Sequence, residues 1–207
     1  QEAKPRGIAF STSGEKMFVV GRSSDIVIEY TLTTAFDISS ASFVDSFSVN
    51  SQEAIPEDVV FSTSGEKMFI VGNDGVEVNE YTLTTAFDVS SASFVDFFKV
   101  SSQDESPVDL AFSTSGEKMF VLGNSSNKVY EYTLTTAFDI SSASFVDSFS
   151  VSSQDTGPRG IWFDSPGNTM FIVGTTSSCT GSGGDAECVF AYKLTTAFDV
   201  SSASYVS

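Results

Sequence analysis

Residues 10–21 read FSTSGEKMFVVG, and from Leu32 the chain continues LTTAFD. The first phrase has the chemistry of a strand, a tight turn and a second strand. Thr-Ser-Gly-Glu supplies the turn, with Gly14 free to take positive φ, and MFVV is apolar throughout, as a strand covered on both faces should be. Both phrases return. STSGEKMF stands at Ser11–Phe18, Ser62–Phe69 and Ser113–Phe120, and a diverged DSPGNTMF at Asp164–Phe171. LTTAFD begins at Leu32, Leu83, Leu134 and Leu194, and Pro5, Pro56, Pro107 and Pro158 are each 51 residues apart. The last LTTAFD interval is 60, so the fourth copy carries nine extra residues, and they fall around its cysteines.

Working outward, each copy holds four strand-like segments. In the first they are Gly7–Ser11, Lys16–Gly21, Ile26–Leu32 and Ser42–Val49 (strands A to D). The third, IVIEYTL, alternates so that Ile26, Ile28, Tyr30 and Leu32 share one face. Four short antiparallel strands per unit of about fifty residues, with no helix, predict an all-β propeller of four four-stranded blades. The 207 residues then form a single domain, with blades at approximately 5–50, 56–101, 107–152 and 158–207. Tyr205 aligns with Phe43, Phe94 and Phe145, so the fourth D strand is short. The expected outcome is a ring closed by one chain, because an open array leaves apolar blade sides in water; two chains forming eight blades is the alternative.

The phrases LTTAFDxSSASFVDSF and FSTSGEKMFVVG resemble repeats of marine-microbial β-propeller proteins, and the A–B part is similar to YVTN/NHL-type blades. The resemblance covers all four copies. It implies the fold and carries over no catalytic residue.

Twenty Phe among 207 residues and an abundance of Val, Thr, Ser and Tyr make a strand composition. The formal net charge of −17 disfavours nucleic acid and anionic lipid. No His is present, which removes Ser-His-Asp and Cys-His nucleophile systems and His-ligated zinc. No apolar run is long enough for a membrane helix, and no signal sequence is read, so export places Gln1 near the mature start. Cys179 and Cys188 sit in a Gly/Ser/Thr-rich stretch suited to a local disulfide, which points to a secreted or cell-surface location.

Comparing the copies separates two faces. The A–B turn and the C–D connection are nearly identical in all four, and Asp37, Asp88, Asp139 and Asp199 read as turn-forming residues. The B–C and D–A loops differ in every copy. Candidate binding residues on that face are Arg6, Glu57, Asp58, Asp109 and Arg159, at the start of the A strands near the channel mouth, with Asp25, Asp74 and Lys128 in the B–C loops. Trp162 stands where Ala9, Val60 and Ala111 stand in the other copies and reads as a core-filling residue rather than a sugar platform. Asn124-Ser125-Ser126 matches a glycosylation sequon, or matches it by chance.

The leading functional expectation is a non-enzymatic extracellular binding or structural module on a cell envelope, matrix or virion, whose partner is a protein, a glycan or another copy of itself. No catalytic residue, cofactor or metal site is expected. Two other readings stay open. One is a polysaccharide hydrolase or lyase in which Glu57, Asp58 and Asp109 supply carboxylates and Arg6 and Arg159 hold an anionic sugar. The other is a calcium-dependent adhesin, with Ca2+ held by acidic turns such as Asn73-Asp74-Gly75.

Overall fold

The computed structural model describes residues 2–176 and 186–206, with the backbone alone for residues 176, 186 and 187. The chain divides into two compact units, Gln1–Lys99 and Val100–Ser207. The first unit contains two antiparallel sheets in simple meander order. Blade one is β1 (Pro5–Phe10), β2 (Lys16–Gly21), β3 (Ile26–Leu32) and β4 (Ala41–Ser48). Blade two is β5 (Pro56–Phe61), β6 (Lys67–Gly72), β7 (Glu77–Leu83) and β8 (Ala92–Lys99).

The second unit repeats the pattern. Blade three is β9 (Pro107–Phe112), β10 (Lys118–Gly123), β11 (Lys128–Leu134) and β12 (Ala143–Ser150). Blade four is β13 (Pro158–Phe163), β14 (Thr169–Thr176), β15 (Ala186–Leu194) and the short β16 (Ala203–Tyr205). The four-stranded blades and their order are those expected from the repeat. The C–D connection also holds a 3-10 turn in each blade: Ile38–Ser40, Val89–Ser91, Ile140–Ser142 and Val200–Ser202.

Those turns are built by the expected aspartates. Asp88 Oδ1 accepts from Ser90 N at 3.1 Å and Ser90 Oγ at 2.6 Å, and Asp37, Asp139 and Asp199 do the same. The Phe before each Asp takes a left-handed backbone, with φ of 60° at Phe36, 56° at Phe87 and Phe138, and 55° at Phe198. A bulky residue there is strained, and the return is packing. In the first unit the Phe87 ring lies 5.6 Å from Phe61 and 6.3 Å from Phe18. In the second, Phe198 lies 5.6 Å from Phe163 and 6.2 Å from Phe120.

Blades within a unit pack face to face. Phe18, Val20 and Val27 of blade one form a core with Val59, Met68, Ile70, Tyr81 and Val89 of blade two. Phe120, Leu122 and Val129 form its counterpart with Ile161, Met170, Ile172 and Val200. A polar clamp fastens each pair. Lys16 Nζ contacts Glu29 Oε1 at 2.7 Å and donates to the Phe87 carbonyl at 2.7 Å, while Glu29 Oε2 accepts from Val89 N at 3.0 Å. In the second unit Lys118, Glu131, Phe198 and Val200 repeat these four roles. Glu29 and Glu131 are almost fully buried, so each charge is neutralised by its lysine and bonded to a backbone N–H, as a buried carboxylate requires.

Candidate functional site

The D–A segments carry a device that sequence reading missed. An acidic residue stands three positions before each blade-opening proline: Glu2, Glu53, Asp104 and Asp155. Glu53 accepts from Ile55 N at 2.8 Å and from Asp74 N at 2.9 Å, across to the B–C loop. Asp104 accepts from Ser106 N, Ser125 N and Ser126 N in the same way. Glu2 accepts from Lys4 N, Ser23 N and Ser24 Oγ. Burial alone would raise the Glu2 carboxyl, but these donors outweigh it and hold it down at about 2. Burial dominates at Glu53 and pushes its carboxyl upward. The spacing to the proline is a readable signal, hidden in the sequence by the variation of the D–A segments around it.

These acids explain where several candidate residues stand. Asp74 is exposed, and its backbone N–H is bound by Glu53. Asp25 has φ of 52° in the first B–C turn and accepts from Asn50 Nδ2 at 2.8 Å. Lys128 opens β11, half-buried opposite Ser150. Asn124 of the sequon donates its side-chain amide to the Pro158 carbonyl at 3.1 Å. Among the described residues no group of three or more carboxylates or thiols is placed to hold a metal ion. Cys179 lies outside the described residues, and its pairing with Cys188 lies there with it.

In the first unit Arg6 and Glu57 do come together. Glu57, 5% exposed, forms ion pairs with Arg22 and, at 3.7 Å, with Arg6, and accepts from Asn73 Nδ2 at 2.6 Å. Its neighbour Asp58 turns instead to Gly7, where a side chain on the glycine would collide with Asp58 Oδ1. Glu57 and Asp58 are therefore not a catalytic carboxylate pair: one is neutralised by arginines and the other is packed against backbone.

In the second unit the expected residues separate. Arg159 is exposed on β13. Asp109 reaches across to the next blade, where its Oδ2 accepts from Ile161 N at 2.5 Å and its Oδ1 from Leu110 N at 2.9 Å. At Gly160 a Cβ would meet Val173 Cγ1 at 2.7 Å and stand in ordinary contact, at 3.4 Å, with that carboxylate. Beside it opens a pocket of about 290 Å³ lined by Asp109, Gly160, Ile161, Trp162, Phe171, Val173 and Val189. Trp162 is 60% exposed and tilted on Phe171 at 5.6 Å. The core-filling expectation for Trp162 is thus wrong: β13 presents this side chain outward, on the blade face away from Met170 and Ile172.

That face is open for a chemical reason. The clamp lysine and glutamate of blades one and three are replaced in blade four by Thr169 and Ala191, so neither charge that grips a following 3-10 turn is present. Lys193 Nζ donates to Thr169 Oγ1 at 2.9 Å in their place. What remains is an exposed indole beside the half-buried Asp109 carboxylate, whose oxygens also hold two backbone N–H groups, over an apolar floor. Such a combination stacks the C–H face of a sugar ring and accepts its hydroxyls.

No protein-family model and no curated protein matches the chain. Solved structures do. A protein from Lactobacillus plantarum has a TM-score of 0.63 at 16% identity, over 98% of this chain and 53% of that one. A Bacteroides uniformis protein classed with 6-phosphogluconolactonases has 0.61 at 12%, over 98% and 52%. The periplasmic gluconolactonase of Pseudomonas aeruginosa has 0.58 at 14%, over 98% and 56%. The chain spans about half the length of these structures. At such identities the likeness is one of fold, and it places the four blades in the β-propeller class. It also removes the ground for expecting a non-enzymatic module, since propellers of similar fold include a gluconolactonase. The missing histidine excludes only histidine-dependent chemistry, and opening a lactone can run on a carboxylate and water.

Proposed function

We propose that the chain supplies a hydrolytic site for an uncharged sugar lactone, in the pocket of the second unit. The observation that carries this reading is the exposed Trp162 beside the Asp109 carboxylate, on a fold similar to that of a gluconolactonase. The lactone ring stacks on the indole, and Asp109 takes a proton from the attacking water. The water oxygen bonds to the carbonyl carbon, the ring C–O bond breaks, and the proton passes on to the departing alkoxide. A lactone is an activated ester, so one positioned base in an apolar pocket gives useful acceleration. Among the described residues no Lys or Arg lines the pocket, which favours a neutral lactone over a phosphorylated one. A secreted or periplasmic setting, with Cys179 and Cys188 paired, belongs to the same proposal.

The test is the disappearance of D-glucono-1,5-lactone, followed against its uncatalysed hydrolysis. Acceleration that falls more than tenfold with Asp109→Asn, and a KM raised by Trp162→Ala, is the expected result. A rate equal to that of buffer overturns the reading.

A further inference from the structure

Blade one carries a docking face on which none of the described residues is seated as in blades two and four. In blade two, Met68, Ile70, Tyr81 and Val89 are 0% exposed, packed in the core shared with blade one. Met170, Ile172, Tyr192 and Val200 of blade four are likewise 0% exposed in the core shared with blade three. Their equivalents in blade one are Met17, Val19, Tyr30 and Ile38. None of these is buried, and Ile38 is 66% exposed. Ile8 and Phe36 on the same blade are 58% and 61% exposed.

The polar part of the face is also intact. Lys16 of blade one grips the carbonyl of Phe87, and Glu29 grips the N–H of Val89. The corresponding groups of blade one are the Phe36 carbonyl and the Ile38 N–H. Among the described residues neither has a side-chain partner, and the 3-10 turn that presents them has the same Asp37–Ser39 geometry as its buried counterparts.

We infer that this face binds a further blade of the same repeat, beyond these four, that presents a lysine–glutamate pair. The occupant is specified by complementarity that the molecule itself displays twice, apolar against apolar and Lys/Glu against carbonyl/N–H. A second copy of this chain does not supply it. Its Lys16–Glu29 and Lys118–Glu131 pairs already hold Phe87, Val89, Phe198 and Val200, the Lys67–Glu80 pair of blade two is engaged as well, and its outward blade-four face has Thr169 and Ala191 where the pair would stand. The solved propellers it resembles are about twice its length, which is the room that additional blades need.

The test builds the missing socket. A full-length variant with Thr169→Lys, Ala191→Glu and Trp162→Ala acquires the clamp on blade four, and Ile38→Asp in the same variant disables its own docking face. Mixed with fluorescently labelled wild-type chain, it should form a one-to-one complex at micromolar concentration by anisotropy and light scattering. Ile38→Asp in the labelled chain should weaken that complex at least tenfold. Absence of binding by a variant whose circular dichroism matches wild type overturns the inference, as does binding indifferent to Ile38→Asp. Wild type that dimerises alone names a second copy as the occupant and also overturns it. Independently of any socket variant, Ile38→Asp should leave the melting temperature of wild type unchanged, while Val89→Asp should lower it steeply. Equal losses would mean that Ile38 is already engaged, and the inference fails.

Discussion

The Phe87 ring fills the space that a side chain on Gly65 would need: a Cβ there would lie 2.2 Å from Phe87 Cδ2. Phe87 N also donates to the Gly65 carbonyl at 2.9 Å, and both residues hold positive φ, 56° and 76°. The strained phenylalanine and the unsubstituted glycine are thus one device, which locks the C–D connection onto the A–B turn. Gly65→Ala meets both a backbone penalty and a collision, and should cost about 3 kcal/mol. Calorimetry should show a melting temperature lower by roughly 10 °C. Glu66→Ala, next door and exposed, should stay within about 0.5 kcal/mol of wild type.

Asp109 and Arg159 are both candidate binding residues of the variable face, but the structure gives them different energetics. Asp109 holds the N–H of buried Ile161, so Asp109→Ala strands a donor and should cost about 1–3 kcal/mol. Arg159→Ala removes an exposed side chain and should leave stability unchanged. Urea unfolding of the two variants checks the contrast, and equal midpoints would refute it.

The fold was legible because the repeat states it four times, and the period-2 alternation of IVIEYTL set the strand faces correctly. The site was not, for a definable reason. Trp162 and Ala191 are departures from a repeat, and a departure shows its meaning only when the repeated partner is known. Lys16 and Glu29 lie 13 residues apart on adjacent strands and meet only through the register that pairs Phe18 with Glu29. Without that pairing, STSGEK reads as turn chemistry alone, and the loss of the clamp in blade four goes unnoticed.

Acid should release the first B–C turn at a definite point. The Glu2 carboxyl lies at about 2 in the fold against an ordinary 4.5, so the folded state binds this proton less tightly. Its contribution is therefore complete above about pH 4.5 and is lost as pH falls through about 2. Amide exchange at Ser23 and Lys4 should accelerate over that interval beyond the intrinsic pH trend, and Glu2→Gln should abolish the step. A carboxyl titrating near 4.5 in the folded protein would contradict the hydrogen bonds described.

If Cys179 and Cys188 are joined, the bond closes a short loop and contributes about 2–3 kcal/mol, mostly local. Intact mass after alkylation without reductant should show no added label. Two labelled thiols in native protein would dispose of the pairing.

The clamp of the second unit gives the sharpest energetic test, because its parts can be removed in two ways. Glu131 is 2% exposed, with Lys118 Nζ at 2.7 Å on one oxygen and Val200 N at 2.9 Å on the other. Lys118→Met leaves that carboxylate buried without its counter-ion, a change worth about 3–5 kcal/mol. Lys118→Met/Glu131→Leu removes both charges and leaves only the Val200 N–H and the Phe198 carbonyl unbonded, which costs about 1–3 kcal/mol. The double variant should therefore be more stable than the single one, although it lacks one more native bond. Blade four already shows the double replacement, with Thr169 and Ala191 at these two positions and no buried carboxylate left to neutralise. Thermal unfolding of the two variants side by side decides the matter. A double variant less stable than Lys118→Met would show that the bond to Val200, and not the neutralised charge, is what holds the 3-10 turn in place.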